Sequence, residues 1–314
     1  MSLGLLFPGQ GSQHVGMGRD LARAFPPAAR TFDEADEILG MDLSRVAWEG
    51  PEEELTRTRN AQPAILVHSI AVVRVVGDRL PPVAMAAGHS LGEFSAHVAA
   101  GTLSFEDALR AVRRRGELMH EAGMERRGTM AAILGLDDEQ VEEVCASVPG
   151  EVGACVPANF NSPGQVVISG DVAAVERGME LARSAGAKRV VQLNVSGAFH
   201  SPLMEPARAG LARELRDRTF RDPEFPVVSN VTAEPMGRGE EAHELLLRQL
   251  TAPVRWTASI RRMLNGGVER FVELGPGSVL CGLNRRNARE FDCTSLSDAD
   301  DVEALFSTDL TASA

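Results

Sequence analysis

Short apolar runs alternate with amphipathic stretches along most of the chain. The runs at 3–7, 83–88 and 268–274 have the length and composition of buried parallel strands. Between them lie stretches whose apolar side chains recur with the period of a helix, such as 64–76 and 105–121. This alternation predicts an α/β fold built on a largely parallel sheet.

The pattern changes from residue 128 onward. Short apolar runs and helical stretches follow there in the order β-α-β-β-α-β, which is the split unit of a ferredoxin-like domain. The runs lie at 129–136, 154–160, 165–169 and 188–195, and the helical stretches at 137–148 and 171–185. We therefore expect a small domain at 127–196, inserted into a core formed by 1–126 and 197–291. Residues 292–314 are polar, acidic and small, which predicts a loosely ordered tail.

One charge on the helix predicted over 105–121 is misplaced. At about 100° per residue, the apolar side chains of this helix share one half of its circumference. Arg115 points into the middle of that half, whereas the neighbouring Arg113 and Arg114 point to the polar half. Because a buried guanidinium without a partner is strongly destabilising, Arg115 requires an anion. That anion is either a protein carboxylate or a ligand.

The segment 83–101 predicts a strand, a tight turn and a helix. Gly88, Ser90 and Gly92 form the pattern G-x-S-x-G, which lifts a serine hydroxyl clear of its sheet on a sharp strand-to-helix turn. The N–H of Leu91 opens the new helix and points toward whatever Ser90 attacks, so it can donate to an oxyanion. Ser90 is thus a candidate nucleophile, although ordinary tight turns also place small residues around a serine.

The loop after the first strand, 8–13, carries a second candidate. Gly9 and Gly11 suggest a dinucleotide-binding loop, but position 14 is a histidine, so the third glycine of that fingerprint is missing. Gln10 is then either a turn residue or a group that faces a site at the end of the strand, where open α/β sheets bind their ligands.

His200 is the best general-base candidate among the seven histidines. It directly follows an apolar strand, whereas His89 should point away from its neighbour Ser90; His14 remains possible. A neutral imidazole with a pKa near 6.5 can take the proton of a serine and return it to a thiol, as acyl transfer from a thioester requires.

Charge and composition narrow the classes of partner. The formal charge of −12 argues against nucleic acid as the main partner. No apolar stretch reaches the roughly 18 residues of a membrane span, and the N-terminus lacks the features of a signal peptide, so we expect a cytoplasmic protein. The four cysteines have no C-x-x-C spacing, which predicts free thiols, no metal site and no disulfide framework.

Motifs along nearly the whole chain resemble those of the malonyl-CoA:acyl carrier protein transacylases of fatty-acid and polyketide synthesis. They include 8–13, 88–93, 115–116, 159–167, 187–189, 198–201, 249–250, 253–256 and 275–277. The resemblance implies an α/β-hydrolase-like core with an inserted ferredoxin-like subdomain. It also implies transfer of malonyl from CoA to the phosphopantetheine thiol of acyl carrier protein, without a metal or redox cofactor.

The resemblance also assigns roles to individual residues. Ser90 would be acylated, and His200 would act first as general base and then as general acid. The backbone N–H groups of Gln10 and Leu91 would form the oxyanion hole. Arg115 would bind the free carboxylate of the malonyl group.

Three further expectations follow from the family. A main-chain carbonyl at Gln249 would orient His200, and the bulk of Phe199 would favour malonyl over branched acyl groups. Because such carrier proteins are acidic, Lys188 and Arg189 are candidates for docking them. We expect a monomer that supplies extender units for fatty-acid synthesis. The alternatives are a discrete acyltransferase of a polyketide assembly line, an acyl hydrolase on the same fold and a catalytically inactive docking scaffold.

Overall fold

Two separate sheets organise the computed structural model, which describes residues 2–307. The strands, in chain order, are β1 (Leu3–Phe7), β2 (Val83–Gly88), β3 (Gly128–Leu134), β4 (Cys155–Ser162), β5 (Gln165–Asp171), β6 (Arg189–Gln192), β7 (Val227–Val228), β8 (Pro235–Met236), β9 (Arg270–Leu274) and β10 (Cys293–Leu296). The helices are α1 (Arg19–Ala24), α2 (Pro26–Leu39), α3 (Leu43–Glu49), α4 (Glu52–Thr56), α5 (Thr58–Val76), α6 (Gly92–Ala99), α7 (Phe105–Glu125), α8 (Asp138–Ala146), α9 (Val172–Ser184), α10 (Glu205–Leu215), α11 (Gly239–Gln249), α12 (Trp256–Asn265), α13 (Val279–Asn287) and α14 (Ala299–Ser307).

The larger sheet forms the centre of the core and has the strand order β10-β9-β1-β2-β7-β8. Its pairs are parallel except for the short β7–β8 pair. Successive side chains of β1 enter two different apolar clusters: Leu3, Leu5 and Phe7 join one, and Leu6 joins the other. Because helices cover both faces, the strand reads as continuously apolar, which is why the sequence predicted a parallel sheet.

The smaller sheet lies within the span expected for the inserted domain. Its order is β4-β5-β3-β6 with antiparallel pairs, and α8 and α9 contribute side chains to one apolar cluster with it. This is the ferredoxin-like arrangement. β4 is also bonded to the core, because the N–H of Phe160 donates to the carbonyl of Val254 at 2.9 Å and the N–H of Val254 donates to the carbonyl of Ala158 at 2.9 Å.

The prediction of a loosely ordered tail is wrong for residues 293–307. β10 pairs in parallel with β9, and Val302 of α14 is fully buried in the main apolar cluster. The acidic composition of this segment did not indicate β10. A strand added beside β9 gains backbone hydrogen bonds from it and therefore needs few apolar residues of its own. Residues 308–314, the rest of the predicted tail, lie outside the described residues.

The prediction of four free thiols is wrong as well. Cys281 on α13 and Cys293 on β10 form a disulfide, because the β9-α13-β10 crossover returns the chain beside the start of its helix. Cys145 and Cys155 are free, with their Sγ atoms 3.9 Å apart. Spacing along the sequence could not reveal a contact that the topology creates.

Two helix boundaries differ from the sequence prediction. The stretch 17–39 divides into α1 and α2 at Phe25, whose extended backbone precedes two prolines, and a residue before proline avoids the helical region. α5 begins at Thr58 and not at Ala64, so its first turns bury polar side chains, including Gln62. Within 2–307, no helix has both the length and the apolar character needed to cross a membrane.

His97 is an unfavourable element of this core. It lies on α6 with 0% exposure, and neither of its ring nitrogens has a hydrogen-bond partner within the described residues. Burial lowers the pKa of His97 from 6.5 to about 3. Folded His97 therefore binds a proton less readily than the unfolded chain does, and its contribution to stability falls as pH drops from 6.5 toward 3.

We predict that His97→Leu raises the free energy of unfolding by about 1–3 kcal/mol at pH 7, because an unsatisfied buried polar group is removed. The gain should grow at pH 5. Urea denaturation at both pH values measures it. The matched control is His68→Leu, because buried His68 bonds the Ser297 carbonyl at 2.7 Å and its loss should destabilise. An H97L protein that is less stable than wild type, or a difference that does not change with pH, would contradict this account.

Candidate active site

The turn that carries Ser90 joins β2 to α6 and is shaped by two close backbone approaches. Ser90 has a φ of +52°, in the left-handed region that side-chain-bearing residues rarely adopt. A Cβ on Gly88 would lie 1.9 Å from the carbonyl carbon of Gly92, and a Cβ on Gly92 would lie 2.0 Å from the carbonyl oxygen of Phe7. Both glycines of the G-x-S-x-G pattern are therefore required by space, and the serine is held up between them.

His200 meets Ser90 across the top of the sheet. Its Nε2 lies 2.8 Å from Ser90 Oγ, and its Nδ1 lies 2.9 Å from the carbonyl of Gln249 and 3.2 Å from that of Ala252. Because carbonyls only accept, Nδ1 carries the proton and Nε2 is free to accept one from the serine. Burial, and then the charge of Arg115, lower the pKa of His200 to about 3, so the imidazole is neutral at pH 7.

Arg115 projects from α7 into the same site and is 1% exposed. Its Nη1 donates to Gln62 Oε1 at 2.6 Å, and its Nη2 donates to Gln249 Oε1 at 3.0 Å and to Ser90 Oγ at 3.1 Å. Burial lowers its pKa to about 10, which leaves it charged at pH 7. Of the two anions that the sequence left open, a contacting protein carboxylate is not found within residues 2–307. The guanidinium is held by neutral oxygens alone.

Two backbone N–H groups belong to the turns that follow β1 and β2. The N–H groups of Gln10 and Leu91 form no hydrogen bond within the described residues, and both residues line the cavity beside Ser90. Unpaired N–H groups next to a nucleophile are suited to receive a developing oxyanion. The side chain of Gln10 points elsewhere and donates to Thr58 Oγ1 at 3.3 Å.

The cavity above Ser90 has a volume of about 210 Å³. Its apolar walls are Met119, Met130, Leu193, Val195 and Phe199. A larger groove of about 810 Å³ shares Gln10 and Val195 with it and leads outward along α4 and α7. The inner cavity has room for a short acyl group, and the adjoining groove extends this space outward.

Several functional groups escaped the sequence analysis. Gln62 and Asn230 were not singled out, yet Gln62 holds Arg115, and Asn230 holds the serine turn. Asn230 Oδ1 accepts from the N–H of Ser90 at 2.7 Å, and its Nδ2 donates to the carbonyl of Gly88 at 2.7 Å. The only signal was position, since Asn230 follows the carboxyl end of the core strand β7.

The remaining candidates lie apart from the cavity. Lys188 and Arg189 are exposed at the start of β6, whereas Leu193 and Val195, just past its other end, line the cavity. His14 does not line it. Within residues 2–307 no cluster of three or more histidine, cysteine or acidic side chains could hold a metal ion.

A serine with a neutral histidine at Oγ and unpaired N–H donors beside it can attack a carbonyl, and the fixed positive charge next to it is suited to an acyl group that carries an anion. The fold and site thus define a serine-dependent acyltransferase. A family model described as "Acyl transferase domain" matches residues 5–305. The chain belongs to the malonyl CoA-acyl carrier protein transacylase family, as its motifs indicated and as the identity to its relatives shows.

Individual relatives support that assignment over nearly the full length. The chain is 47% identical to the malonyl CoA-acyl carrier protein transacylase of Bacillus subtilis over 306 residues, covering 98% of this chain and 96% of the relative. It is 48% identical to that of Escherichia coli K12 over 285 residues, covering 90% and 91%. A malonyl-transacylase solved in complex with a type II PKS acyl-carrier protein superposes with a TM-score of 0.94 at 43% identity, covering 98% of this chain and 100% of that one.

Proposed function

We propose that this protein transfers a malonyl group from malonyl-CoA to the phosphopantetheine thiol of an acyl carrier protein, through a malonyl ester of Ser90. The observation that carries the proposal is the guanidinium of Arg115, buried without an acidic contact and 3.1 Å from the attacking oxygen. A malonyl group has its free carboxylate one carbon from its thioester carbonyl. The guanidinium can therefore bind that carboxylate while Ser90 attacks the thioester carbonyl.

The acyl-transfer steps use groups already in contact. Nε2 of His200 takes the proton of Ser90 as Oγ attacks the thioester carbonyl, and the resulting oxyanion accepts hydrogen bonds from the N–H groups of Gln10 and Leu91. The carbon–sulfur bond breaks, and His200 returns the proton to the departing thiol of CoA. The thiol of the carrier then reverses the sequence, leaving malonyl on the carrier and a free serine.

Arg115 gives the reaction its acyl preference. A carboxylate accepts two parallel hydrogen bonds from a guanidinium, and such a pair is strong where water is excluded. Nη2 of Arg115 now donates to Ser90 Oγ. The malonyl carboxylate would accept that hydrogen bond instead, and Ser90 Oγ would keep its hydrogen bond to His200. The acyl-enzyme retains the carboxylate, so the pair persists until the carrier thiol arrives. No metal or redox cofactor is required by these steps.

The rival reading is an acyl hydrolase on the same fold. A hydrolase has no need for a buried guanidinium beside its serine, so Arg115 counts against it.

We place the reaction in the supply of extender units for fatty-acid synthesis. A discrete acyltransferase of a polyketide assembly line would use the same steps and differ in its carrier. We also propose that the protein is a monomer and that it acts in the cytoplasm.

Intact-mass measurement after mixing with malonyl-CoA tests the proposed transfer. We expect a covalent malonyl adduct that persists in buffer and moves to the carrier when holo acyl carrier protein is added. The Ser90→Ala protein is the control and should form no adduct. Rapid loss of the adduct to water would indicate a hydrolase, and no adduct on the wild-type protein would indicate an inactive scaffold.

Phe199 is the proposed limit on acyl bulk. Its ring lines the cavity and is 7% exposed, so a branch on the α-carbon of the acyl group would meet it. We predict that malonyl-CoA is preferred to methylmalonyl-CoA by about 10-fold or more, the usual range for one methyl group. Phe199→Ala should reduce that preference. Competition between the two CoA esters measures it, and equal or faster use of methylmalonyl-CoA by the wild type would contradict it.

Lys188 and Arg189 are proposed to dock an acidic carrier protein. The two exposed side chains stand at one end of β6, and the cavity opens at the other, a separation that a phosphopantetheine arm can bridge. We predict that Lys188→Glu with Arg189→Glu raises the KM for carrier protein by about 10-fold while acylation by malonyl-CoA stays unchanged. The control, Arg23→Glu with Arg45→Glu, makes the same change in net charge elsewhere on the core. An effect equal to that of the control would remove the docking role.

A further inference from the structure

Glu93 is a buried carboxyl group that contacts two residues bonded to the backbone of Ser90. It lies in the first turn of α6 with 0% exposure and does not line the cavity. Its Oε2 accepts from Gln249 Nε2 at 2.7 Å and from the N–H of Asn230 at 3.1 Å, while Oε1 has no partner within residues 2–307. Because burial of a carboxylate is costly, its contacts require an explanation.

Gln249 is the residue through which Glu93 reaches the site. Its backbone carbonyl holds Nδ1 of His200, and its side-chain Oε1 holds Nη2 of Arg115. Its Nε2 donates to Glu93 and also to the carbonyl of Ser90 at 2.9 Å. One residue therefore contacts the base, the guanidinium and the nucleophile's own backbone.

Glu93 acts together with the Ser90 carbonyl and Arg115 to set the orientation of the Gln249 amide. An amide can be turned by 180° about its last bond, and the two orientations exchange a donor for an acceptor. In the turned orientation, the amide oxygen would face the Glu93 carboxylate and the Ser90 carbonyl, and the NH₂ group would face the donors of Arg115. The amide oxygen would then face two oxygens, and the NH₂ group would face other donors, so both contacts would be repulsive. An acceptor at Glu93 thus keeps Oε1 toward Arg115.

The second contact of Glu93 stabilises the serine turn. The same Oε2 accepts from the N–H of Asn230, whose side chain spans the turn between the N–H of Ser90 and the carbonyl of Gly88. The left-handed backbone of Ser90 is strained, and strain of this kind persists only where neighbours fix it. Glu93 is thereby bonded to both residues that fix the turn.

We propose that Glu93 is a positioning residue whose acceptor oxygen orients Gln249 and, through it, both His200 and Arg115. The proposal rests on the proposed acyl transfer at Ser90. It adds that the malonyl preference of Arg115 depends on a side chain that does not touch the substrate. Glu93 should therefore affect the rate of acylation and the choice of acyl group together.

Three variants separate an acceptor from a charge. Glu93→Gln keeps an oxygen for Gln249 and Asn230 but removes the charge. Glu93→Met removes the acceptor at nearly the same length, and Glu93→Asp withdraws it by one methylene. Ser95→Ala is the control, since Ser95 is buried on the same helix and its Oγ has no partner within the described residues.

The experiment measures single-turnover acylation of each protein by malonyl-CoA and by acetyl-CoA. We expect E93M to slow malonyl acylation by about 100-fold, the loss typical of misplaced reacting groups, and to lower the ratio of malonyl to acetyl rates. E93D should change both in the same direction by less. E93Q should stay within about threefold of wild type, because an amide oxygen at the same place still accepts from Gln249 and Asn230. S95A should match wild type.

The outcomes distinguish a failure of the positioning role of Glu93 from a failure of the proposed acyl transfer at Ser90. A loss of folded protein lowers both acyl rates equally, so an unchanged ratio in E93M and E93D would overturn the positioning role. So would an E93Q protein as slow as E93M, or wild-type rates in E93M. The wild-type protein is tested for a malonyl adduct before any variant is compared. If it forms no adduct, the proposed acyl transfer is wrong, and the positioning role that rests on it is wrong as well.

Discussion

The buried guanidinium of Arg115 is the constraint on which the other features of the site depend. Its two Nη atoms donate to two amide oxygens and a hydroxyl, its Nε has no partner within residues 2–307, and no acidic side chain in that range contacts it. That charge helps to keep His200 neutral, and it lies at the wall of the cavity above Ser90. A substrate carboxylate would lower the electrostatic cost of the site as it binds, so recognition and stabilisation coincide.

The scaffold holds the reacting groups in strained positions. Ser90 and His200 both have left-handed backbones, with φ values of +52° and +57°. Gly88 and Gly92 permit the serine turn by the close approach of their backbones, and β4 of the inserted domain is hydrogen-bonded to the core at Val254, beside the loop that bonds His200. The inserted domain is therefore part of the active-site wall, because its Met130 and Leu193 line the cavity.

Local sequence patterns predicted the buried strands of the core sheet and the burial of Arg115. A run of apolar residues identifies a buried strand, and a helical period places Arg115 in the core, because both signals lie within a few residues. The contacts of Asn230 and Gln249 with the serine turn span 140 and 159 residues, and no local pattern contains them. The ordered segment 293–307 and the Cys281–Cys293 disulfide escaped for the same reason, since each depends on a strand that is already in place.

The central claim is that Arg115 selects the acyl group by binding its free carboxylate. The most direct test is kcat/KM for malonyl-CoA and for acetyl-CoA in the wild type and in Arg115→Ala. We expect kcat/KM for malonyl-CoA to fall by about 100-fold or more, the scale of losing one partner of a buried charge pair, and kcat/KM for acetyl-CoA to fall much less. An equal fall for the two substrates would contradict it.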